Sequence, residues 1–193
     1  MGPAKGKSNF NKRISMNRRT YQLLPPLWDG FAMVVLGFCL VLLPHTGRGA
    51  DMGFNDKDRD FLQKAAQGGM AEVELGKLAA DKGSTAAVRD FGSMMVKDHS
   101  LLNDEMKELA KQKSVTLPAA MDVKNRGKLD ELAKKSGKDF DDAYLDCMKK
   151  AHKNDQDLLE DARDKTKDPE VKAAAEKALP VIQAHLEHLK TLR

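Results

Sequence analysis

Residues 61–79 read FLQKAAQGGMAEVELGKLA, and the spacing of apolar residues in this stretch decides the fold class. Apolar or small residues recur at alternating intervals of four and three, which places them on one face of a helix. The members of this face are Phe61, Ala65, Gly68, Glu72, Leu75 and Ala79. The pattern predicts a first long helix over about residues 56–82. Gly83-Ser84 then ends this helix and starts the next.

Three further long helices follow from the same periodicity. They are predicted over about residues 85–113, 139–165 and 169–192. Asp168-Pro169 marks the start of the last helix, because proline is well tolerated in the first helical turn. A shorter helix is predicted over about residues 122–135 and is closed by Gly137. Each long helix would extend about 40 Å.

The composition and the helix lengths together indicate an all-α domain over residues 51–193. Aromatic residues make up only 5% of the chain, and strands depend on aromatic and β-branched residues. Long helices of matched length, joined in pairs by tight hairpins, predict a four-helix bundle. The connection between the second and third long helices has about 25 residues and contains the short helix. It is long enough to run back along the bundle, which favours a ferritin-like crossover over an up-down-up-down arrangement.

Residues 1–50 form a basic leader that resembles an export signal. The leader contains an unbroken apolar stretch at residues 31–43, FAMVVLGFCLVLL. This stretch has the length of a signal-peptide core and is short for a membrane-spanning helix, which needs about 20 residues. We therefore predict an exported domain with the periplasm as its location. The alternative is a membrane anchor formed by an uncleaved leader.

The charge of the chain is unevenly distributed. Residues 1–50 carry seven basic residues and one acidic residue, whereas residues 51–193 carry 26 basic and 28 acidic residues. The net positive charge of +4 therefore belongs to the leader. A predicted bundle that is slightly acidic gives no reason to expect nucleic-acid binding.

Four polar residues interrupt the apolar faces of the four long helices near their midpoints. They are Glu72, His99, His152 and His185. The rise of about 1.5 Å per residue places all four at a similar depth in the bundle. Unpaired in an apolar core, they would cost several kcal/mol (about 2–7 per neutral polar group), so something must satisfy them. A single transition metal ion would do so, with Asp155 and His188 as reserve ligands one turn further along their helices.

Two other interpretations remain open at the level of the sequence. The four groups could hydrogen-bond to one another and to a buried water, forming a polar layer that only fixes helix register. They could also lie at the edge of the apolar faces and reach solvent. No serine, threonine or cysteine occurs in a recognisable catalytic motif, so an enzyme with a covalent nucleophile is not favoured.

Several motifs resemble the exported bacterial domain-of-unknown-function family 4142. They are residues 61–79 together with Met95-Val-Lys-Asp-His99, Phe140-Asp-Asp-Ala-Tyr144 and Leu179-Pro-Val-Ile-Gln-Ala-His-Leu186. The resemblance covers nearly all of residues 56–193. It implies a ferritin-like fold and an exported location, and it implies no particular reaction.

The sequence departs from the di-iron members of the ferritin-like fold. Those proteins carry a lone Glu on two helices and Glu-x-x-His on the other two. Here Val96 stands three residues before His99 and Ile182 three residues before His185, so only Glu72 matches a bridging carboxylate. We therefore expect a mononuclear, His-rich site for zinc, copper or iron, acting in envelope metal or stress handling. The alternative function is a non-catalytic structural or partner-binding bundle.

Overall fold

The computed structural model describes residues 53–192, which form five α-helices. Their bounds are α1 Asp56–Lys82, α2 Ala86–Gln112, α3 Val123–Ala133, α4 Gly137–Lys165 and α5 Pro169–Thr191. No strand occurs among residues 53–192, which agrees with the predicted all-α class. None of the helices in this range is long and apolar enough to cross a membrane. The predicted signal at residues 31–43 lies outside the described residues.

Polar side chains at the N-termini define where most of these helices begin. Asn55 and Asp58 form a reciprocal capping box at the start of α1. The side chains of Thr85, Asp122 and Asp168 accept backbone N–H bonds at the starts of α2, α3 and α5. The sequence placed the start of the third long helix at about Asp139, whereas α4 begins at Gly137 with Ser136 as its N-cap.

The connections between helices produce the predicted crossover topology. α1 pairs with α2 and α4 pairs with α5, while α1 also packs on α4 and α2 on α5. The N-terminal part of α1 shares an apolar cluster with the C-terminal part of α4, so these two helices are antiparallel. The C-terminal part of α2 lies in the same cluster as the C-terminal part of α4, so α2 and α4 run in the same direction. The segment that contains α3 therefore returns along the bundle, as in ferritin-like folds.

The apolar core is divided into two clusters, one towards each end of the bundle. One cluster contains Phe61, Met106, Leu159 and Ile182. The other contains Leu75, Met95, Met148 and Leu189. Along each long helix, one of the four predicted polar residues lies between the members of the two clusters. A polar layer thus separates two apolar halves of the core.

Two glycines bring α1 and α2 close together beside this layer. A Cβ atom built on Gly92 would lie 2.6 Å from the backbone nitrogen of Ala80 and 2.7 Å from the carbonyl oxygen of Gly76. Only a residue without a side chain allows the two backbones to approach in this way. The close contact fixes the height of α1 relative to α2, and therefore the height of Glu72 relative to His99.

Candidate metal centre

The structure brings the four predicted site residues together in the interior. Glu72, His99, His152 and His185 are 3%, 2%, 0% and 2% exposed, and each comes from a different helix. These values exclude the interpretation in which the side chains lie at the edge of the apolar faces and reach solvent. Because the layer lies between two apolar clusters, its polar atoms must find partners within it.

One nitrogen of each imidazole points towards a common centre. Nε2 of His152 lies 3.4 Å from Nε2 of His99 and 3.1 Å from Nδ1 of His185. The three rings each contribute one nitrogen to a group whose members all lie within 4.8 Å of one another. Nitrogen ligands 2.0–2.1 Å from a tetrahedral metal ion are separated by about 3.3–3.4 Å. The two shorter nitrogen–nitrogen distances in the cluster are close to this spacing.

The other nitrogen of each ring faces a hydrogen-bond acceptor. Nδ1 of His99 lies 3.0 Å from Oε2 of Glu72. Nδ1 of His152 lies 3.0 Å from the main-chain oxygen of Met148, and Nε2 of His185 lies 3.0 Å from Oδ2 of Asp98. Each outer nitrogen therefore carries the proton, and each inner nitrogen presents a lone pair to the centre. This combination of histidine and outer acceptor is the pattern that orients imidazoles around metal ions.

Burial keeps the imidazoles neutral. Burial in the core, together with the adjacent His99 and His185, lowers the pKa of His152 from 6.5 to about 3. Burial also lowers the pKa of His99 and of His185, although nearby carboxylates act in the opposite direction. A neutral imidazole is the form that binds a metal ion. The lone pairs at the centre are therefore available at neutral pH.

Glu72 and Asp155 form a carboxyl pair on the side of the layer that faces α1. Burial raises the pKa of Glu72 from 4.5 to about 7. Burial and the neighbouring Glu72 raise the pKa of Asp155 well above its usual range. Oε1 of Glu72 and Oδ2 of Asp155 are buried and receive no hydrogen bond from the described residues. The two carboxyl groups therefore retain a proton to higher pH than carboxyl groups in water do.

Glu72, Asp155 and His152 make a second group of possible metal ligands. Their ligand atoms lie within 4.8 Å of one another. Nδ1 of His152 lies 3.2 Å from Oε1 of Glu72, but its proton is donated to the carbonyl of Met148. Glu72 thus accepts the proton of His99 on the side away from the imidazole centre, and it also belongs to this acidic group. The predicted reserve ligand Asp155 lies in the layer. The other predicted reserve ligand, His188, lies outside it.

His188 does not join the buried cluster. Its side chain is exposed on α5, one turn beyond His185. The ring packs edge-on against Phe91, with 5.5 Å between ring centroids. His188 therefore lies at the surface beside the cluster, and it reaches the centre neither as a ligand nor as an outer acceptor.

A small cavity of about 40 Å³ adjoins the carboxyl pair. Its polar lining consists of Glu72, His99, Asn103 and Asp155, and the remaining lining is apolar. This volume is enough for a water molecule. Gly69 makes room for the cavity wall, because a side chain at this position would overlap the Asn103 amide. A Cβ atom on Gly68 would make only an ordinary contact of 3.5 Å with Asp155, so Gly69 alone of the two glycines is required by a polar neighbour.

Two elements of the site were not predicted from the sequence. Asp98 holds His185 in its tautomer, and the carbonyl of Met148 holds His152. The Met148 contact could have been found, because a helical histidine reaches the carbonyl four residues before it. Asp98 offered only a weak signal, since it precedes His99 and lies off the apolar face of α2.

The fold and the cluster define a class of protein: a ferritin-like helical bundle with a buried His-rich centre of possible metal ligands. Within that class the chain belongs to the family described as "Domain of unknown function (DUF4142)", whose model matches residues 43–192. This result confirms the resemblance drawn from the sequence motifs.

Two solved structures share the fold. The crystal structure of a DUF305 fragment from Deinococcus radiodurans is 11% identical, with a TM-score of 0.64, and the match covers 72% of this chain and 95% of that chain. The structure of CopM in the Cu(I)-bound form is 19% identical, with a TM-score of 0.58, and the match covers 69% of this chain and 93% of that chain. No significant match was found among curated protein sequences.

Proposed function

We propose that the protein binds one transition metal ion between His99, His152 and His185. The observation that carries this proposal is the convergence of three imidazole lone pairs whose outer nitrogens all face acceptors. Nε2 of His99, Nε2 of His152 and Nδ1 of His185 are the ligand atoms. A bound ion would supply a positive charge to a centre where three lone pairs otherwise face one another.

The count of protons favours a metal ion over hydrogen bonds alone. Three neutral imidazoles carry three N–H protons, and the three outer acceptors use all of them. If one proton turned inwards to join His152 to His185, either Asp98 or the carbonyl of Met148 would lose its imidazole donor. A metal ion satisfies the inner nitrogens and leaves every outer hydrogen bond in place.

The ligand set suits zinc, copper or iron, all of which bind imidazole well. Three protein ligands leave at least one coordination position for a solvent molecule or a fourth side chain. Glu72 acts mainly through His99, since its carboxylate raises the basicity of that ring. It also offers a ligand oxygen on the side of Asp155 if the ion lies off the centre of the histidine triad. A fold relative was solved with Cu(I), so copper belongs among the first ions to test.

We place this activity outside the cytoplasm, in the handling of metal or oxidative stress in the cell envelope. The apolar stretch at residues 31–43, with its basic flank, supports export to the periplasm. An uncleaved leader would instead anchor the bundle to the membrane. The slightly acidic bundle gives no support for a nucleic-acid partner.

A structural role for the layer is the second candidate function. The contacts of His99 with Glu72 and of His185 with Asp98 join α1 and α5 to α2, and the contacts of His152 with His99 and His185 bring α4 into the same layer. Such a layer specifies helix register, because a shift by one turn would leave buried polar groups unpaired. On this interpretation the bundle is structural or partner-binding, and removal of the histidines changes stability without any loss of metal.

The test is a measurement of metal content and affinity on the purified protein. We expect elemental analysis and titration with Zn²⁺ and Cu⁺ against a chromophoric chelator to give one ion per chain. The double variant His99→Ala/His152→Ala should lose this ion, whereas His188→Ala should retain it. Circular dichroism checks that each variant is folded, and the milder His152→Gln variant replaces the double variant if that one unfolds. Sub-stoichiometric metal in the wild type, with no affinity on titration, would refute the proposal.

A further inference from the structure

A surface groove between α2 and α5 leads to His185. Its volume is about 420 Å³, and its lining includes four residues with metal-ligating atoms, namely Met94, Asp98, His185 and His188. The remaining lining residues belong to α5 and include Pro180 and Ala184. The groove thus extends from the surface to His185, a member of the imidazole centre.

We propose that this groove is the route by which the metal ion enters and leaves the centre, with His188 as the transient ligand that holds the ion at the mouth before it passes the His185 ring. The proposal rests on the proposed function, since it assigns a pathway to the ion bound there. The cation arrives partly hydrated or bound to a small donor, and its passage requires no change in the helical framework.

The position of His188 suits a transient ligand. The residue is exposed and lies three positions after His185, so both rings project from the same side of α5. Phe91 packs edge-on against both rings, with centroid distances of 6.4 Å to His185 and 5.5 Å to His188. Phe91 itself is fully buried. A rigid buried ring therefore holds the outer imidazole beside the inner one.

Asp98 connects the groove with the buried cluster. Its side chain is 26% exposed, yet its Oδ2 atom lies 3.0 Å from Nε2 of His185. A carboxylate at the mouth attracts cations, and its contact with Nε2 of His185 keeps Nδ1 of that ring directed at the centre that receives the ion. Met94, one turn before Asp98 on α2, adds a half-buried thioether, which is a soft ligand for Cu⁺. An ion crossing the groove can exchange water for these ligands stepwise.

The cavity on the opposite side of the cluster is a poorer route. It reaches His99 and Glu72, and its other lining residues are mostly apolar. Its carboxyl oxygens on Glu72 and Asp155 are buried, so an ion would have to lose its water before meeting them. Loss of hydration without replacement ligands is costly for a cation. The α2–α5 groove instead presents Asp98 and His188 to solvent.

The kinetics of metal uptake test this proposal. Metal-free protein is mixed with Co²⁺ in a stopped-flow instrument, and the visible absorbance of the bound ion reports uptake. Release is measured by adding excess chelator to the loaded protein. For His188→Ala we expect uptake and release to slow by the same factor, about ten-fold, because a transient ligand changes the barrier and leaves the bound state intact. The affinity for Co²⁺ should stay within about two-fold of the wild type.

Two further variants, with one control, distinguish the groove from the cavity that reaches His99 as the route of the ion. Ala184→Trp narrows the groove without removing a ligand and should also slow uptake, whereas the exposed α5 control Gln183→Ala should not. Leu158→Trp narrows the cavity that reaches His99 and should leave the rate unchanged. Normal rates in both His188→Ala and Ala184→Trp, or slow uptake in Leu158→Trp alone, would overturn the proposed route while the equilibrium site stands. Absence of Co²⁺, Zn²⁺ and Cu⁺ binding in the wild type would overturn the metal site and the route together.

Discussion

Nε2 of His152 lies 3.1 Å from Nδ1 of His185, across the interface between α4 and α5. Each of these rings donates its outer proton elsewhere, to the carbonyl of Met148 and to the carboxylate of Asp98. Two acceptor nitrogens therefore face each other in a region with almost no solvent exposure. A cation between them removes this repulsion, and the consequences can be measured at several positions in the layer.

Substitution of Asp98 should weaken metal binding without abolishing it. Loss of an outer acceptor from a ligating histidine lowers metal affinity by about 10–100-fold. We expect the Zn²⁺ affinity of Asp98→Ala, measured by chelator competition, to be lower than that of the wild type by a factor in this range. His185→Ala should lose more affinity. The exposed α2 residue Asp90 provides the control, since Asp90→Ala lies outside the groove and should match the wild type. Equal affinities for Asp98→Ala and Asp90→Ala would show that the His185 contact has no role in binding.

Substitution of Glu72 should change the pH dependence of stability in the metal-free protein. The pKa of Glu72 is raised from 4.5 to about 7, so the folded state retains a proton that the unfolded state has released between these values. The free energy of unfolding of the wild type therefore falls as the pH rises from about 4.5 to 7 through this group.

The Glu72→Gln variant does not titrate at this position and avoids that loss. Its stability relative to the wild type should rise across the same pH window, by an amount on the order of 3 kcal/mol. The measurement is urea denaturation in the presence of a chelator at pH 4.5, 6 and 7.5. A constant difference between the two proteins across these pH values would contradict the buried, proton-retaining state of Glu72.

The close approach of α1 and α2 predicts opposite effects of two glycine substitutions. Gly92→Ala should destabilise the fold by about 1–3 kcal/mol, because the new methyl group meets backbone atoms that cannot move aside independently. Gly127→Ala should stabilise α3 by up to about 1 kcal/mol, since a Cβ atom there meets nothing within 4 Å and alanine favours the helix. Thermal unfolding of both variants gives the comparison, and a stabilised Gly92→Ala protein would argue against the tight interface.

The start of α5 depends on Asp168, which caps the helix and forms an ion pair. Its Oδ1 accepts the backbone N–H groups of Glu170 and Val171 at 3.0 Å, and its Oδ2 lies 2.5 Å from Nζ of Lys113. These hydrogen bonds and the Lys113 charge outweigh the effect of burial and lower the pKa of Asp168.

Asp168→Ala should lose about 1–2 kcal/mol from the cap alone, with an additional loss from the ion pair with Lys113, whose side chain is 10% exposed and also pairs with Glu170. Asp168→Asn keeps a capping side chain and should lose less than Asp168→Ala, so the difference isolates the cap. Chemical denaturation at pH 7 distinguishes the two variants. The same free energy of unfolding in both would mean that the ion pair alone fixes this helix start.

The sequence was sufficient for the helices and for the layer because both follow from local periodicity. The spacing from Phe61 to Ala79 defines a buried face, and Glu72 interrupts it near the middle. A residue at that height must be buried in any bundle of such helices. The crossover also followed from the sequence, since the connection after α2 is too long for a hairpin and carries its own helix.

The tertiary structure alone decided which atoms of the layer face one another. Side-chain direction depends on helix rotation and on outer partners, and a one-residue change in facing rotates a side chain by about 100° around its helix. His188 and Asp155 were equivalent reserve ligands in the sequence, each one turn beyond a histidine. In the structure Asp155 lies inside the layer, whereas His188 lies at the surface on Phe91.

The sequence by itself determined an all-α ferritin-like bundle with one acid and three histidines at a common depth. It did so because amphipathic spacing and helix length are properties of the chain alone. Only the tertiary structure decided that Nε2 of His99, Nε2 of His152 and Nδ1 of His185 converge, while Glu72, Met148 and Asp98 hold the opposite nitrogens. That choice arises from packing, because the close glycine contact of α1 with α2 and the acceptors around each ring fix its rotation.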